Sequence, residues 1–592
     1  MTYYMKRTIK VLKDEGILEL LKRTVGKVGK LLSRVPDQNR LYEQWIEEVE
    51  KPFLEKKYKK ASYQNLRQTP KISILMPVYN ISPNLLNTAI QSIRSQWYDN
   101  WELCLYDDAS TNKETIQYLS KLSDKKDGRV ILKLGATNKN ISLATNECFD
   151  MSTGDYVLLM DNDDVLRPNC LYEVVKLINK KGPQDLIYYD EDKLSQDNRR
   201  IEPFFKPSFS PELLYSMMYP THAVFSRKIF KKVGKMRPGY EGSQDYDLVL
   251  RVAEVSKRIS HIPWILYSWR KVPGSTADNI SGKSYALGAA KNAIKSALKR
   301  RGLRAKVQND AYPFHTVVLP QKQSKVEIII LTKNGKELLE TCINSINRYT
   351  KWEKTSITII NHDSEDRNAI QYLDEIQNHT RFHASVYPYK GAYNFSKMNN
   401  FAVSKTDADY VLFLNNDTEV ITQDWIEKML GWAEQKDIGS VGVQLLYGNR
   451  YIQHAGIILG VGGVANHAFY KMPGNTEFYY NHLNCIRNYL ALTAACLMIG
   501  RSKFEEVGGF NEDLPESYND IDLGLKLFEA GYRNVYLPYV KLIHYESQSR
   551  DPQVKRHEDE YMYGKWRKYI DTDPYYNPNL TTELKDKPVF SL

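Results

Sequence analysis

The chain has 592 residues, 42% hydrophobic and 26% charged, which suits a soluble protein of two to four domains with sizeable cores. Six dispersed cysteines without a CxxC pair exclude a disulfide framework or zinc knuckle and point to a reducing, cytoplasmic setting; no run of about 18 apolar residues is present to span a membrane. The formal charge of +11 does not mark a nucleic-acid binder: residues 1–36 hold nine Lys/Arg against three Asp/Glu, and the remainder is nearly balanced, with 73 basic and 68 acidic groups.

In that first segment Ile17, Leu21, Val25, Val28, Leu32 and Val35 recur at three- and four-residue steps, flanked by Lys22, Arg23, Lys27, Lys30 and Arg34. The spacing predicts a basic amphipathic helix ending at Pro36, suited either to an anionic membrane surface or to packing on the protein. Tyr42–Tyr58 reads as a second, structural helix. From Lys71 onward short apolar runs alternate with helical patterns: strand Ile72–Tyr79, helix Ser82–Gln96 with Pro83 at its first position, strand Trp101–Asp108, helix 113–122, strand 129–134, helix 142–151 and strand 156–160. This alternation predicts a mostly parallel α/β sheet, in which ligands sit beyond the carboxyl ends of the strands.

That last strand, "YVLLMDNDDVL", runs straight into Asp161, Asp163 and Asp164, and "YVLFLNNDTEV" repeats the pattern at Asn415 and Asp417. "ISILMPVY" is matched by "VEIIILTKNG", and "GSQDYDLVLRV" around Asp245 by "SYNDIDLGLKL" around Asp520. The order is that of a duplicated domain. The expected divisions are a helical region 1–70, a first domain 71–278, a helical connector and linker 279–325, a second domain 326–550 and an extension 551–592. Like charges this close repel, and paired carboxylates at a strand end without nearby His or Cys suit Mg²⁺ or Mn²⁺ bridging to phosphate. No GxxxxGK[ST] loop exists, and "GVGG" at Gly460–Gly463 does not open a strand–helix unit.

The ordered motifs "SILMPVYN", "DDAS", "MDNDD" and "GSQDYDL", then "NNFAV", "LNNDTEVIT", "QHAGIILGVGGVANHAF", "TAACLM", "NDIDL" and "HYES", resemble a tandem bacterial family 2 glycosyltransferase of the GT-A fold. The resemblance covers nearly everything from Lys71 to about Arg550. It implies an inverting transferase of cell-wall or capsular polysaccharide synthesis, with a UDP- or dTDP-sugar donor and a polyprenyl-diphosphate-linked glycan acceptor. Such an enzyme would lie on the inner face of the plasma membrane, which gives the basic N-terminal helix a purpose.

Carried over by motif, Pro77, Tyr79, Asp108 and Asp161 would contact the nucleotide sugar in the first copy, and Thr332, Asn334, Asp363 and Asn415 in the second. Metal ligands would be Asp161 and Asp163, then Asp417 and His544; Asp245 and Asp520 would be the general bases. Each of these aspartates also suits a turn or helix cap. Ser268 stands where relatives often carry a histidine near the metal, so the first copy is expected to bind its ion through carboxylates, phosphates and water or through another group. Two active centres, one active centre beside a glycan-binding copy, and a sugar nucleotidyltransferase are the readings to separate.

Overall fold

The structure is a computed structural model that describes residues 38–57, 66–124, 127–271, 284–311, 314–546, 554–583, 590 and 592. The basic segment 1–36 lies outside the described residues. Among the described residues, no helix is long and apolar enough to cross a membrane.

The first sheet is built from β1 (Ile72–Val78), β2 (Trp101–Asp107), β3 (Val130–Leu134), β4 (Tyr156–Leu159), β5 (Val165–Leu166), β6 (Leu186–Leu194), β7 (Arg200–Phe204), β8 (Val224–Ser226) and β9 (Ile259–Arg270). Its order is β3-β2-β1-β4-β8-β6-β9-β5, with β7 hydrogen-bonded to β6. β1 to β4 run parallel because each crossover is a helix, and β8 enters antiparallel beside β4. A hairpin, β10 (Lys306–Ala311) and β11 (Phe314–Val318), follows the connector helix Ser284–Arg300.

The second sheet takes β12 (Val326–Thr332), β13 (Thr355–His362), β14 (His383–Tyr389), β15 (Tyr410–Asn415), β16 (Thr418–Val420), β17 (Ile438–Leu446), β18 (Ile452–His454), β21 (Arg487–Tyr489), β22 (Cys496–Gly500) and β23 (Arg533–His544). The small ribbon of β19 (Ile457–Leu459) and β20 (Ala465–His467) stands apart from it. Its main order, β14-β13-β12-β15-β22-β17-β23-β16, is the first order again. Ile72 pairs with Tyr156 and Val326 with Tyr410, so one offset of 254 positions superimposes β1 on β12 and β4 on β15. Two mostly parallel α/β sheets in tandem, as the sequence predicts, are therefore present.

The helical stretch Gln38–Lys57, the expected second helix, packs on β6 and β7. Tyr42 donates to Asp192 at 2.6 Å and receives a hydrogen bond from Arg200, and Trp45 meets Phe205 edge-on at 5.0 Å. The extension proves to be more than a tail. After the helix Arg556–Ile570, residues 573–582 thread between the copies. Asn577 donates to Asp190 and to the carbonyl of Lys206, Asn579 to the carbonyl of Pro263, while Asp573 accepts from the backbone of Leu459. Direct contacts add to this: Arg533 pairs with Glu212 at 2.9 Å, and the Ser210 hydroxyl donates to Asn488. All six cysteines are free and buried.

Four buried imidazoles are kept neutral. Burial drives His315 and His467 down to about 4, and His454 and His482 well below the usual range. Above pH 6.5 both folded and unfolded chains carry these rings neutral; between 6.5 and 4 only the unfolded chain binds the proton. Stability is therefore expected to fall on acidification by about 1.4 kcal/mol per pH unit for each such ring. Burial raises Asp163 and Asp573 to about 6, which acts in the opposite sense, so the check compares the chain with His315→Phe in chelator. The excess melting temperature of the unsubstituted chain is expected to shrink from pH 7.5 to 5, and a difference that does not change would contradict it.

Candidate active site

In the first copy the acidic strand end folds into a compact cluster. Asp161 is half-exposed, whereas Asp164 is fully buried and accepts from the Tyr267 hydroxyl at 2.6 Å and the Arg270 backbone N–H at 2.8 Å. The third member is His222, whose Nε2 lies 3.9 Å from an oxygen of each aspartate. One ligand atom from each of the three falls within 4.8 Å of the others. The repulsion implied by the sequence is real: burial and the neighbouring Asp161 push Asp163 up to about 6, and burial with Asp161 and Asp163 raises Asp164 well above the carboxylate range. Two carboxylates and an imidazole converging in this way fit a divalent cation, and the nitrogen donor suits Mn²⁺ better than Mg²⁺.

Two cavities flank the cluster. One, of about 210 Å³, is lined by Pro77, Tyr79, Asp108, Asn138, Asn140 and Asn162. The other, of about 60 Å³, brings Asp245 together with Asp161 and His222. Pro77 and Ile141 line both, so they are neighbouring parts of one cleft. Asp245 lies in the first turn of the helix Gln244–Val255, and burial raises its pKa. Asp247, two residues further on in the same turn, is fully buried and paired with Arg237 and Arg251, a structural role.

The second copy opens a cavity of about 970 Å³ beyond its strands, lined in part by Thr332, Asn334, His362, Tyr393, Asn415 and Asp417. His544 Nε2 lies 3.2 Å from Asp417 and 3.3 Å from the Asn415 side chain. Asp520, in the first turn of the helix Asn519–Glu529, accepts from the Ala494 N–H at 3.1 Å, and the adjacent Ala495 carbonyl receives the Asn415 N–H. The base candidate thus borders the acidic tip, and burial raises its pKa as well. Asp522 is tied to Trp566 and Lys565 of the C-terminal helix.

The structure amends several expectations. His222 and Asp164 join the first cluster, while Asp163 is not among the three converging groups. Ser268 is not the counterpart of His544. Val165 pairs with Ser268 and Glu419 with Ile543, so the position matching His544 is Trp269, one residue on. The offset of 254 pairs Thr332 with Val78 and Asn334 with Asn80 instead of matching Thr332–Asn334 to Pro77–Tyr79. Asn80 and Asn334 play one role: each side-chain oxygen accepts two backbone N–H groups, from Thr111 and Asn112 or from Glu365 and Asp366. Asp363 is exposed, turned outward at φ +46° and absent from the cavity wall; His362, matching Asp108, lines it instead. Aligning "PTHAVF" with "AACLM" between the copies was the one signal in the sequence that leads to His222.

A family model for glycosyl transferase family 2 matches residues 73–234 and again 327–488. The chain belongs to that family, and the two sheets are its GT-A architecture in tandem. The chain is 37% identical over 537 residues to the uncharacterized protein y4gI of Sinorhizobium fredii and 32% identical over 527 to the O-antigen biosynthesis protein RfbC of Myxococcus xanthus. Each match covers 88% of this chain but only 59% and 41% of those proteins, so the chain spans about half the length of these relatives. The solved structure of S. aureus TarS 1–349 in complex with UDP-GlcNAc is 18% identical, covers 38% of this chain and 66% of that one, and has a TM-score of 0.32.

Proposed function

We propose that the chain is an inverting, divalent-cation-dependent glycosyltransferase with two centres. Each would move a sugar from a UDP- or dTDP-linked donor to a growing, lipid-linked surface polysaccharide at the inner membrane face. The observation that carries this is the duplicated pairing of carboxylate and imidazole at the carboxyl end of a parallel sheet, each beside a cleft and a half-buried aspartate in the first turn of a helix. The name of the Myxococcus relative supports a surface polysaccharide as product.

Asp161, Asp164 and His222 in the first copy, with Asp163 beside them, and Asp417, His544 and Asn415 in the second would hold the cation. When bound, it supplies positive charge against the diphosphate leaving group. Pro77, Tyr79 and Asp108 wall the nucleotide end of the first cleft, and Thr332, Asn334 and His362 that of the second. The 970 Å³ cavity lies within the range of ligand pockets. Asp245 and Asp520 take the proton of the acceptor hydroxyl as it attacks the anomeric carbon. Burial raises both pKa values, which makes each carboxylate a stronger base than an exposed one.

The test offers purified protein with Mn²⁺ or Mg²⁺ a panel of UDP-, dTDP- and GDP-sugars. Binding and cation-dependent consumption of a UDP- or dTDP-sugar is expected. No binding and no turnover would overturn the reading, and pyrophosphate release from a nucleoside triphosphate would replace it with a nucleotidyltransferase.

A further inference from the structure

The two copies face their acidic tips with imidazoles from different elements, a loop in the first and a strand in the second, and one of these imidazoles is braced. His544 lies on β23 opposite Thr418, where the first copy has Trp269. His222 precedes β8; since Val224 pairs with Leu158 and Met498 with Leu412, its counterpart is the buried Cys496. A His/Trp pair in one copy thus stands where the other has Cys/His, and the Trp269 ring packs edge-on against His222 at 5.5 Å.

Behind His222 stands Glu191 of β6, whose carboxylate lies 3.3 Å from His222 Nδ1 and 3.0 Å from the Lys206 ammonium. Lys206 is completely buried and also donates to Thr221 at 2.8 Å, and Thr221 in turn donates to Glu191. The His222 ring is further fixed by parallel stacking on Tyr267 at 3.9 Å, and its carbonyl accepts from the Tyr189 hydroxyl. A buried ion pair is expensive to keep dry unless its remaining hydrogen bonds are made. The second copy does without one: Glu191 pairs with Tyr267, and the matching β17 residue, which pairs with Leu542, is Leu445. The charged pair occurs only where the imidazole comes from the loop. His544, by contrast, has no hydrogen-bond partner at Nδ1 among the described residues.

A neutral imidazole carries one N–H, and a carboxylate at Nδ1 claims it, leaving the Nε2 lone pair facing Asp161 and Asp164. We infer that Glu191, held by Lys206, is a positioning residue that fixes His222 as the Nδ1–H tautomer, so that the first copy carries a pre-set imidazole ligand which the second lacks. The inference rests on the cation-dependent reading proposed above.

The experiment uses the full chain in an Asp417→Asn background, which silences the second site, and titrates Mn²⁺ with and without UDP. Binding is read by calorimetry, and the imidazole nitrogen by its modulation of the Mn²⁺ spin echo. The double variant Glu191→Leu/Lys206→Met copies the apolar state of the second copy and leaves no unpaired buried charge. It is expected to weaken Mn²⁺ by about 10–100-fold and to change the nitrogen modulation while melting temperature and UDP affinity hold. His222→Gln is expected to abolish that modulation. If the double variant matches its background in both readouts, Glu191 and Lys206 are structural only and the inference fails while the cation reading stands. If the unsubstituted chain binds no Mn²⁺ in either condition, both fall.

Discussion

Replacing Asp245 by Asn is expected to lower sugar transfer at the first centre by about 10²–10⁴-fold with donor affinity unchanged, and Asp520→Asn to do the same at the second. The reasoning is geometric before it is electrostatic. Asp245 shares a small cavity with Asp161 and His222, so a carboxylate able to accept the acceptor proton sits beside the group that would anchor the leaving diphosphate. Asn keeps the shape and the helix-capping capacity but cannot take a proton, so a cap alone would survive the change. Each centre is read in the background of the other's substitution, with kcat from product formation and donor Kd from calorimetry. Loss at Asp245 with full activity in Asp520→Asn would reduce the second copy to a glycan-binding role. Full activity in both would remove the bases altogether.

Chelation of divalent cations is expected to stop transfer at both centres, and Asp161→Asn to lower first-centre transfer by about 10²–10³-fold, with more Mn²⁺ needed for half-maximal rate. Asp161 is the exposed member of its cluster, and Asp164 is already engaged by Tyr267 and Arg270. Asp161 is therefore the carboxylate most available to a cation arriving with its donor. Rates in an Asp520→Asn background, with and without chelator and with Mn²⁺ restored, measure the effect. Undiminished transfer in chelator would exclude the cation from the reaction.

Much of this was legible because it is written locally. The apolar runs that make β1, β4, β12 and β15 are continuous in sequence, each ends on its polar tip, and one offset carries the first set onto the second. The tips, the helix-opening Asp245 and Asp520, and His544 could therefore be named from motif order. His222 could not: it stands 61 positions after Asp161 and reaches it only because β8 inserts antiparallel beside β4. The misplacement of Ser268 has a similar origin. β9 is irregular against β6 between Tyr189 and Glu191, and a strand miscounted by one residue presents its opposite face. The bracing of His222 by Glu191 and Lys206 joins segments with no shared periodicity, and the path of residues 573–582 follows from tertiary packing alone.

That path bears on how a polymer could grow. Asn577 and Asn579 are hydrogen-bonded to the first copy and Asp573 to the ribbon of the second, so this one segment ties together the bodies that carry the two acidic tips. Under the function proposed above, a glycan shorter than the separation of the tips would have to leave one tip before presenting its end to the next, whereas a longer one could bend across while still held. The enzyme would then carry its own measure of when stepwise addition gives way to processive extension.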